Sequence, residues 1–253
     1  MGAALAVAMA QVGADIVLAA RSSADLEEIA AAVGHAGRHA LVIPADVTVA
    51  DDVDRLVAGA IAEFGQIDIL VNNAGGPLFN APFLDIRPDG WNRLIELNLT
   101  SVATCCRAVG RHMVERGSGS IINTGSPGVL RPWPAIGAYS AAKAAVLNLT
   151  QVLAHEWGRS GVRVNMISPG WIGTDINQAF TTNPQASAQI CNDVPLGRWG
   201  EVNDIVGAAT WLASDSATYV TGIHIPIDGG LTSAVPEDWR SLRVRRDWQH
   251  QSD

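Results

Sequence analysis

Residues 67 to 75 read Ile-Asp-Ile-Leu-Val-Asn-Asn-Ala-Gly, and the prediction of the fold starts from this stretch. The run Ile67–Val71 is short and apolar except at Asp68, which predicts a central strand buried on both faces. Asn72–Gly75 follows directly, and there small residues let a backbone approach a ligand while Asn tolerates unusual turn geometry. A plain turn is the alternative. A ligand at this place would lie at the carboxyl edge of a parallel sheet.

Outward from this strand, helical and strand-like segments alternate in both directions, which predicts a parallel sheet covered by helices. One domain is expected over residues 1–230, with a loosely attached tail over residues 231–253. The segment Trp171–Trp199 has no clean period and is predicted to be a mobile lid or loop over a site. The other predicted strands are Asp15–Ala20, Ala40–Pro44, Ser120–Thr124, Arg163–Ile167 and Gly222–Ile227, and the predicted helices are Ala3–Val12, Ser23–Val33 (capped by Ser22 or Ser23), Val49–Phe64, Trp91–Arg116, Ala138–Arg159 and Asn203–Leu212.

The charge of the chain argues against a nucleic-acid partner. Its formal net charge is −8, so it offers no broad basic surface to a phosphate backbone. Four arginines do lie in the stretch Arg240–Arg246, but Asp238 and Asp247 flank them. This part of the tail is therefore interpreted as a solvated segment without a function of its own.

Neither a membrane location nor a metal site is expected. The apolar start Ala3–Ala10 lacks a basic region before it and ends at Gln11, well short of a membrane span. The adjacent Cys105 and Cys106 and the distant Cys191 match no disulfide framework and no metal-ligand spacing. Reduced thiols and a cytoplasmic location follow as expectations.

Tyr139 and Lys143 are four residues apart on a strongly helical segment, so their side chains emerge on one face. A phenol has a pKa near ~10, and a neighbouring ammonium would move it down toward the working pH. This pair is a usable general acid/base, although a surface Tyr and Lys at this spacing also arise by chance. Ser126 follows the predicted strand Ser120–Thr124 at its carboxyl edge, where a hydroxyl can hold a carbonyl oxygen.

With these residues in place, the chain resembles the classical short-chain dehydrogenase/reductase family over nearly its whole length to Gly230. The resemblance implies a Rossmann-like doubly wound fold and hydride transfer between nicotinamide C4 and a substrate carbon. Tyr139 would exchange the proton on the substrate oxygen, Lys143 would bind the nicotinamide ribose and lower the pKa of Tyr139, and Ser126 would orient the carbonyl. The matching residues are Ser126 with Tyr139-Ser-Ala-Ala-Lys143, Asn72-Asn-Ala-Gly75, Asn98, and Ser168-Pro-Gly170 with Thr174.

Asn98 is polar on an otherwise apolar helix face, and without the family it is interpreted as a satisfied buried amide. The resemblance implies instead that it supports a proton relay. The resemblance also implies cofactor contacts in the loop Ser168–Thr174, and Asn73, Ala74, Gly75, Pro169, Gly170, Ile172 and Thr174 are the residues expected to make contacts of this kind.

Cofactor choice is argued from the end of the predicted strand Asp15–Ala20. Nicotinamide folds usually place an acidic residue there to bond the ribose of NAD, whereas this chain has Ala20 followed by Arg21 and Ser22. A guanidinium suits bidentate phosphate contact, which predicts a preference for NADP(H), with NAD(H) possible and a merely solvated Arg21 as the alternative. Asp46, with Val47 beside it, resembles the family position that hydrogen-bonds adenine.

The start of the chain departs from the family. The opening strand and its turn, Thr-Gly-x-x-x-Gly-x-Gly, should precede the first helix, and only Gly2 corresponds to that turn. We therefore expect the first strand, which would sit in the middle of the sheet, to be missing from this chain. An internal Met taken as the start of a longer reading frame is the hypothesis that explains this departure.

Two hypotheses about function remain open at this point. The first is an NADP(H)-dependent enzyme acting on a small carbonyl or alcohol, and the second is a non-catalytic scaffold or nucleotide-sensing subunit. The resemblance implies a homotetramer or homodimer formed through the two long helices and the last strand. It fits 3-oxoacyl-carrier-protein reductases, steroid dehydrogenases and sugar dehydrogenases about equally. Trp133, Trp171 and Phe180 either line an apolar substrate cleft or serve as simple packing.

Overall fold

The computed structural model describes residues 1–233, and the rest of the predicted tail, with its arginines, lies outside the described residues. Helices and parallel strands alternate as predicted, and most predicted boundaries agree within two residues. The strands are β1 Ile16–Ala20, β2 Ala40–Pro44, β3 Ile69–Asn72, β4 Gly119–Thr124, β5 Val162–Pro169 and β6 His224–Ile227. The helices are α1 Gly2–Gln11, α2 Ser23–His35, α3 Ala50–Phe64, α4 Pro88–Ile95, α5 Ser101–Arg116, α6 Gly137–Trp157, α7 Gln178–Thr181, α8 Pro184–Asp193 and α9 Val202–Ala213.

The strands form two parallel sheets instead of one. One sheet has two strands in the order β1-β2, and the other has four in the order β3-β4-β5-β6. Among residues 1–233 no strand pairs with the outer edge of β1 or of β3. The prediction that residues 67–71 form the central strand is therefore wrong, because β3 is an edge strand and most of it is only half-buried. β4 and β5 take the central place.

Helices cover both faces of the four-stranded sheet, as the fold class predicts. Side chains of β4 alternate between the faces, so Ile121 packs with residues of α5 and α6. Its neighbour Ile122 packs with Leu5 of α1 and Leu212 of α9. The two clusters are separate apolar cores on opposite sides of one sheet, which is the doubly wound arrangement.

Three local features differ from the predictions. The long helix over residues 88–116 is interrupted by a π-helical turn at Glu96–Thr100, which separates α4 from α5. The segment predicted as a lid or loop contains the short helices α7 and α8, the second of which is capped by Asn183. Ser22 is at the N-cap of α2, but its side chain makes no capping hydrogen bond. The helix therefore gives no structural reason for a Ser at this position.

Within the described part of the chain, no helix combines the length and the apolar composition that a membrane span requires.

Candidate active site

Ser126 and Tyr139 meet at the carboxyl edge of β4. Ser126 begins a short 3-10 turn, and its Oγ accepts a hydrogen bond from the Gly128 N–H at 3.2 Å. Tyr139 lies in the first turn of α6, where its hydroxyl is near enough to the Ser126 side chain for that group to lower its pKa. The sequence therefore brings two hydroxyl groups from different segments together, at the place where open parallel sheets bind ligands.

Lys143 lies one helical turn beyond Tyr139 and is the single lysine of the sequence. Its Nζ donates a hydrogen bond to the backbone carbonyl of Thr124 at 2.8 Å and lies 5.8 Å from the centroid of the Tyr139 ring. The side chain is buried, and burial lowers the pKa of its ammonium from 10.5 to about 8. A carbonyl at the end of β4 thus holds the amine beside the phenol.

The expected lowering of the Tyr139 pKa is not found. Burial raises the pKa of the phenol above its ordinary value of 10, and the neighbouring Ser126 side chain only partly opposes this effect. The physical reason is that removing the phenolate from water costs more than its neighbours recover. Tyr139 is therefore held in its neutral, proton-donating form at neutral pH.

Asn98 belongs to the π-helical turn and is completely buried. Its Nδ2 donates to the carbonyl oxygens of Leu94 (3.0 Å) and Gly76 (3.1 Å), while its Oδ1 accepts from the Gly76 N–H (2.9 Å). The amide is thus satisfied by backbone groups, as one of the two interpretations expected. This arrangement clamps the loop after β3 to the helix pair α4–α5.

The loop after β3 presents a close backbone approach beside Lys143. Gly75 and Gly76 have φ of 142° and 156°, a region that favours glycine. A Cβ at Gly75 would lie 2.7 Å from Asn98 Oδ1 and 3.3 Å from Lys143 Nζ. Because Gly75 has no side chain, the space between Asn98 and Lys143, two of the predicted catalytic residues, stays open.

Asn73 and Gly2 continue this edge of the sheet. A Cβ on Gly2 would lie 2.7 Å from Asn73 Nδ2, so the start of α1 touches the loop after β3. The buried Asn73 Oδ1 and Thr124 Oγ1 have no hydrogen-bond partner among residues 1–233. Helix α1 has no side-chain cap and no acidic residue in its first turn, so its N–H groups remain suited to an anion. These features fit a dinucleotide laid along the edge. Ala74 is exposed between Asn73 and Gly75.

The predicted cofactor residues after β1 and β2 lie together on the surface. Arg21 and Ser22 are exposed, and the Arg21 guanidinium is close enough to help lower the pKa of Asp46. The larger cause is Thr48, which donates to Asp46 Oδ1 from its hydroxyl at 2.7 Å and from its backbone at 3.0 Å. Val47 between them is half-buried. The structure thus joins the two strand ends into one charged corner.

The loop after β5 contributes the last group of predicted residues. Pro169 ends the strand, and a Cβ at Gly170 would lie 2.6 Å from the Asp228 backbone, so this glycine permits a close approach of two loops. Ile172 is buried in the core beside α9, so only its backbone faces the loop. Thr174 is half-buried and donates its backbone N–H to the Ile172 carbonyl at 2.9 Å.

Four aromatic rings pack edge to face, one from the turn before α6 and three from residues 171–199. Trp171 contacts Trp133, Phe180 and Trp199, with centroid distances of 6.4, 5.5 and 5.8 Å. Sequence reasoning named the first three and missed Trp199, whose indole N–H donates to Ser187 at 2.8 Å. The signal that could have found it is its position at the end of the aperiodic segment 171–199, which also begins with a Trp. A small cavity of about 170 Å³ lies beside Trp171 and is lined also by residues 194–204 and 227–229.

In the described part of the chain, no group of three or more His, Cys, Asp or Glu side chains is arranged to hold a metal ion.

Comparison with known proteins agrees with this geometry. The family model described as enoyl-(acyl carrier protein) reductase matches residues 1–232. Gluconate 5-dehydrogenase of Gluconobacter oxydans is 36% identical over 93% of this chain and 91% of its own length. The 3beta-hydroxysteroid dehydrogenase 1 of Eggerthella lenta is 39% identical over 92% of this chain and 89% of its own.

A solved structure extends the agreement to three dimensions. The crystal structure of a gluconate 5-dehydrogenase from Burkholderia cenocepacia, in complex with NADP and tartrate, superposes with a TM-score of 0.88 at 38% identity. The match covers 92% of this chain and 91% of that one. The chain therefore belongs to the classical short-chain dehydrogenase/reductase family, and it is an oxidoreductase of the kind that acts on CH–OH groups.

Proposed function

We propose that the chain catalyses hydride transfer between NADP(H) and a carbonyl or secondary alcohol, with Tyr139 as the general acid/base. The observation that carries this proposal is the placement of Tyr139 beside Ser126, with Lys143 buried next to its ring. A neutral phenol beside a second hydroxyl offers two donors to one substrate oxygen. This is the arrangement that a carbonyl needs as negative charge develops on its oxygen.

Tyr139, Ser126, Lys143 and Asn98 each have a separate role in the proposal. Tyr139 donates the proton during reduction and accepts it during oxidation, and its raised pKa favours the donor form. Ser126 holds the substrate oxygen in place, and Lys143 supplies a positive charge that stabilises a developing phenolate. Asn98 fixes the Gly76 backbone and supports proton transfer between Lys143 and solvent through that loop.

The residues along the sheet edge would hold the cofactor. When bound, NADP(H) supplies or accepts the hydride at its nicotinamide. The N-terminus of α1 at Gly2 suits a diphosphate, and the backbone of Asn73–Gly75 suits close contact with a ribose. Lys143 would bond the nicotinamide ribose, and the loop Pro169–Thr174 would hold the carboxamide and phosphates. Asp46 and Val47 would contact the adenine.

The preference for NADP(H) over NAD(H) rests on the corner formed by Arg21 and Ser22. Neither residue is a carboxylate, and both are exposed at the end of β1. A guanidinium and a hydroxyl together can bind a 2′-phosphate through charge-assisted hydrogen bonds. The Burkholderia relative that contains NADP supports the same choice.

The non-catalytic scaffold is disfavoured. A scaffold has no need for a buried lysine beside a half-buried tyrosine, since burying an amine costs stability. The relatives reported above are also named as dehydrogenases.

The proposal extends to organisation and location. Residues 1–230 would form the catalytic domain with residues 231–253 as a tail, and the long helices α5 and α6 with β6 would form a homotetramer or homodimer. A reducing compartment such as the cytoplasm suits the free thiols of Cys105 and Cys106, whose pKa values burial raises to about 11 and about 12.

The substitution Tyr139→Phe tests the proposal. It removes only the hydroxyl, so we expect kcat/KM to fall by about 10²–10⁴-fold while NADPH binding, followed by nicotinamide fluorescence, stays within about threefold. Tyr219→Phe is the matched control, because Tyr219 is fully exposed. Retained activity in Tyr139→Phe would exclude Tyr139 as the acid/base.

A further inference from the structure

The aromatic cluster around Trp171 joins three segments of the candidate site. We call Trp133, Trp171, Phe180 and Trp199 the aromatic wall. Trp133 lies in the turn between Ser126 and Tyr139, Trp171 follows Gly170 in the predicted cofactor loop, and the other two belong to the lid. All four rings are only partly buried, so part of their apolar surface is open to solvent.

The rim of this wall is also apolar. Leu130, Ile176 and Leu196 expose half or more of their surface on the same three segments. Ile176 reaches across to the loop after β3, because its Cδ1 lies 3.6 Å from the position of a Cβ on Gly76. Exposed apolar groups that gather beside a polar catalytic pair are typical of a small-molecule pocket.

The cations near the wall are already engaged. Residues 127–136 and 171–200 contain two arginines and no lysine or histidine. Arg198 forms a bidentate pair with Asp204, with N–O distances of 2.8 and 3.0 Å. Arg131 donates to the Leu231 carbonyl at 3.1 Å and lies 5.9 Å from the centroid of the Trp133 ring. A substrate carboxylate would therefore compete with Asp204 for Arg198, and at Arg131 it would meet the Asp193 carboxylate, which lies 3.9 Å from Nη2.

We propose that the aromatic wall selects a neutral, cyclic, largely apolar ketone or secondary alcohol over an anionic polyhydroxy acid. This inference rests on the proposed function and names its substrate class. The rings of the substrate lie against the indole faces, while its carbonyl or hydroxyl oxygen reaches Ser126 and Tyr139. Apolar contact with indole rings provides the affinity, and the two hydroxyl groups provide the orientation.

The test compares three probes with NADPH in the purified protein: trans-2-decalone, 5-dehydro-D-gluconate and the small acyclic ketone acetoin. We expect kcat/KM for decalone to exceed that for 5-dehydro-D-gluconate by at least about tenfold. Trp171→Ala should lower kcat/KM for decalone by about 10–30-fold more than kcat/KM for acetoin, mainly through KM. Trp171→Phe should recover most of the loss.

Two further variants keep the result interpretable. Trp133→Ala removes the other end of the wall and should act in the same direction if Trp171→Ala fails to fold. Tyr219→Ala removes a fully exposed ring and should leave all three probes unchanged.

Preference for 5-dehydro-D-gluconate, or an equal loss for decalone and acetoin in Trp171→Ala, would overturn the substrate class while leaving the proposed function intact. If no probe is reduced by a protein that binds NADPH, the proposed function itself fails and the inference falls with it.

Discussion

The central strands of the four-stranded sheet are more deeply buried than either strand of the two-stranded sheet. In the four-stranded sheet, β4 is buried except at Gly119 and β5 except at Arg163, while the edge strands β3 and β6 are mostly half-buried. In the two-stranded sheet, only Leu18 of β1 is buried and β2 has no buried residue. The deeply buried sheet carries Ser126 and supports Tyr139 and Lys143, whereas the shallow one ends in the exposed corner of Arg21 and Asp46.

This difference separates two kinds of requirement. Hydride and proton transfer need groups held at fixed distances and shielded from water, which a packed core provides. Discrimination between two cofactors needs a charge that meets a phosphate, and an exposed arginine is enough for that purpose. Substitutions in the buried sheet should therefore act on chemistry and stability together, and those in the exposed corner on cofactor choice alone.

Among the substitutions that compare the two sheets, Lys143→Met has the largest expected effect. We expect kcat/KM to fall by about 10²–10³-fold, because the positive charge beside Tyr139 is lost. The folded-state pKa of about 8 lies below the ordinary 10.5, so the unfolded chain binds the extra proton between these values. The unfolding free energy of the wild type should therefore rise from pH 8 to about 10.5, and that of the variant should lack this rise.

Urea unfolding at pH 7 and pH 10 measures the unfolding free energy of the wild type and of the Lys143→Met variant. Because Lys143 is the single lysine, biosynthetic labelling of lysine with ¹³C also gives one side-chain NMR signal to titrate. A midpoint near 10.5 would contradict the burial of its charge.

The next effect compares the cores of the two sheets. Ile122→Ala should lower the unfolding free energy by about 2–5 kcal/mol, because Ile122 is completely buried between α1 and α9. Ile43→Ala on β2 should cost about 1–2 kcal/mol, since Ile43 is only half-buried and packs on Gly59. Equal losses in urea unfolding would show that the two sheets are equally important to stability.

Much of this division could be predicted from the sequence. Periodicity placed the helices and strands, and the pairing of Ser126 with Tyr139 and Lys143 followed from strand ends and helical spacing. Strand order could not be predicted in the same way, because hydrophobicity does not distinguish an edge strand such as β3 from a central one. The raised pKa of Tyr139 was missed because spacing gives the neighbour but not the depth of burial.

Arg21→Ala tests the role of the exposed end of β1 in cofactor discrimination. We expect KM for NADPH to rise by about tenfold while KM for NADH and kcat stay within about twofold, because only the 2′-phosphate loses its partner. Steady-state kinetics with each cofactor measures the change. Arg38→Ala is a matched control. Arg38 also lies next to the two-stranded sheet, just before β2, but it pairs with Asp15 at 2.7 Å. An equal loss for both cofactors would contradict the role of Arg21 in their discrimination.

The smallest effect contrasts two helix N-caps. Ser22 makes no capping hydrogen bond, so Ser22→Ala should change the unfolding free energy by less than about 0.5 kcal/mol while raising KM for NADPH severalfold. Asn183 accepts from the N–H groups of Gln185 and Ala186 at 3.1 Å each, so Asn183→Ala should cost about 1 kcal/mol and leave that KM unchanged. Urea unfolding and NADPH kinetics on both variants separate the two roles. A stability loss in Ser22→Ala would mean that this residue serves the helix, and its freedom to bind a phosphate would no longer follow.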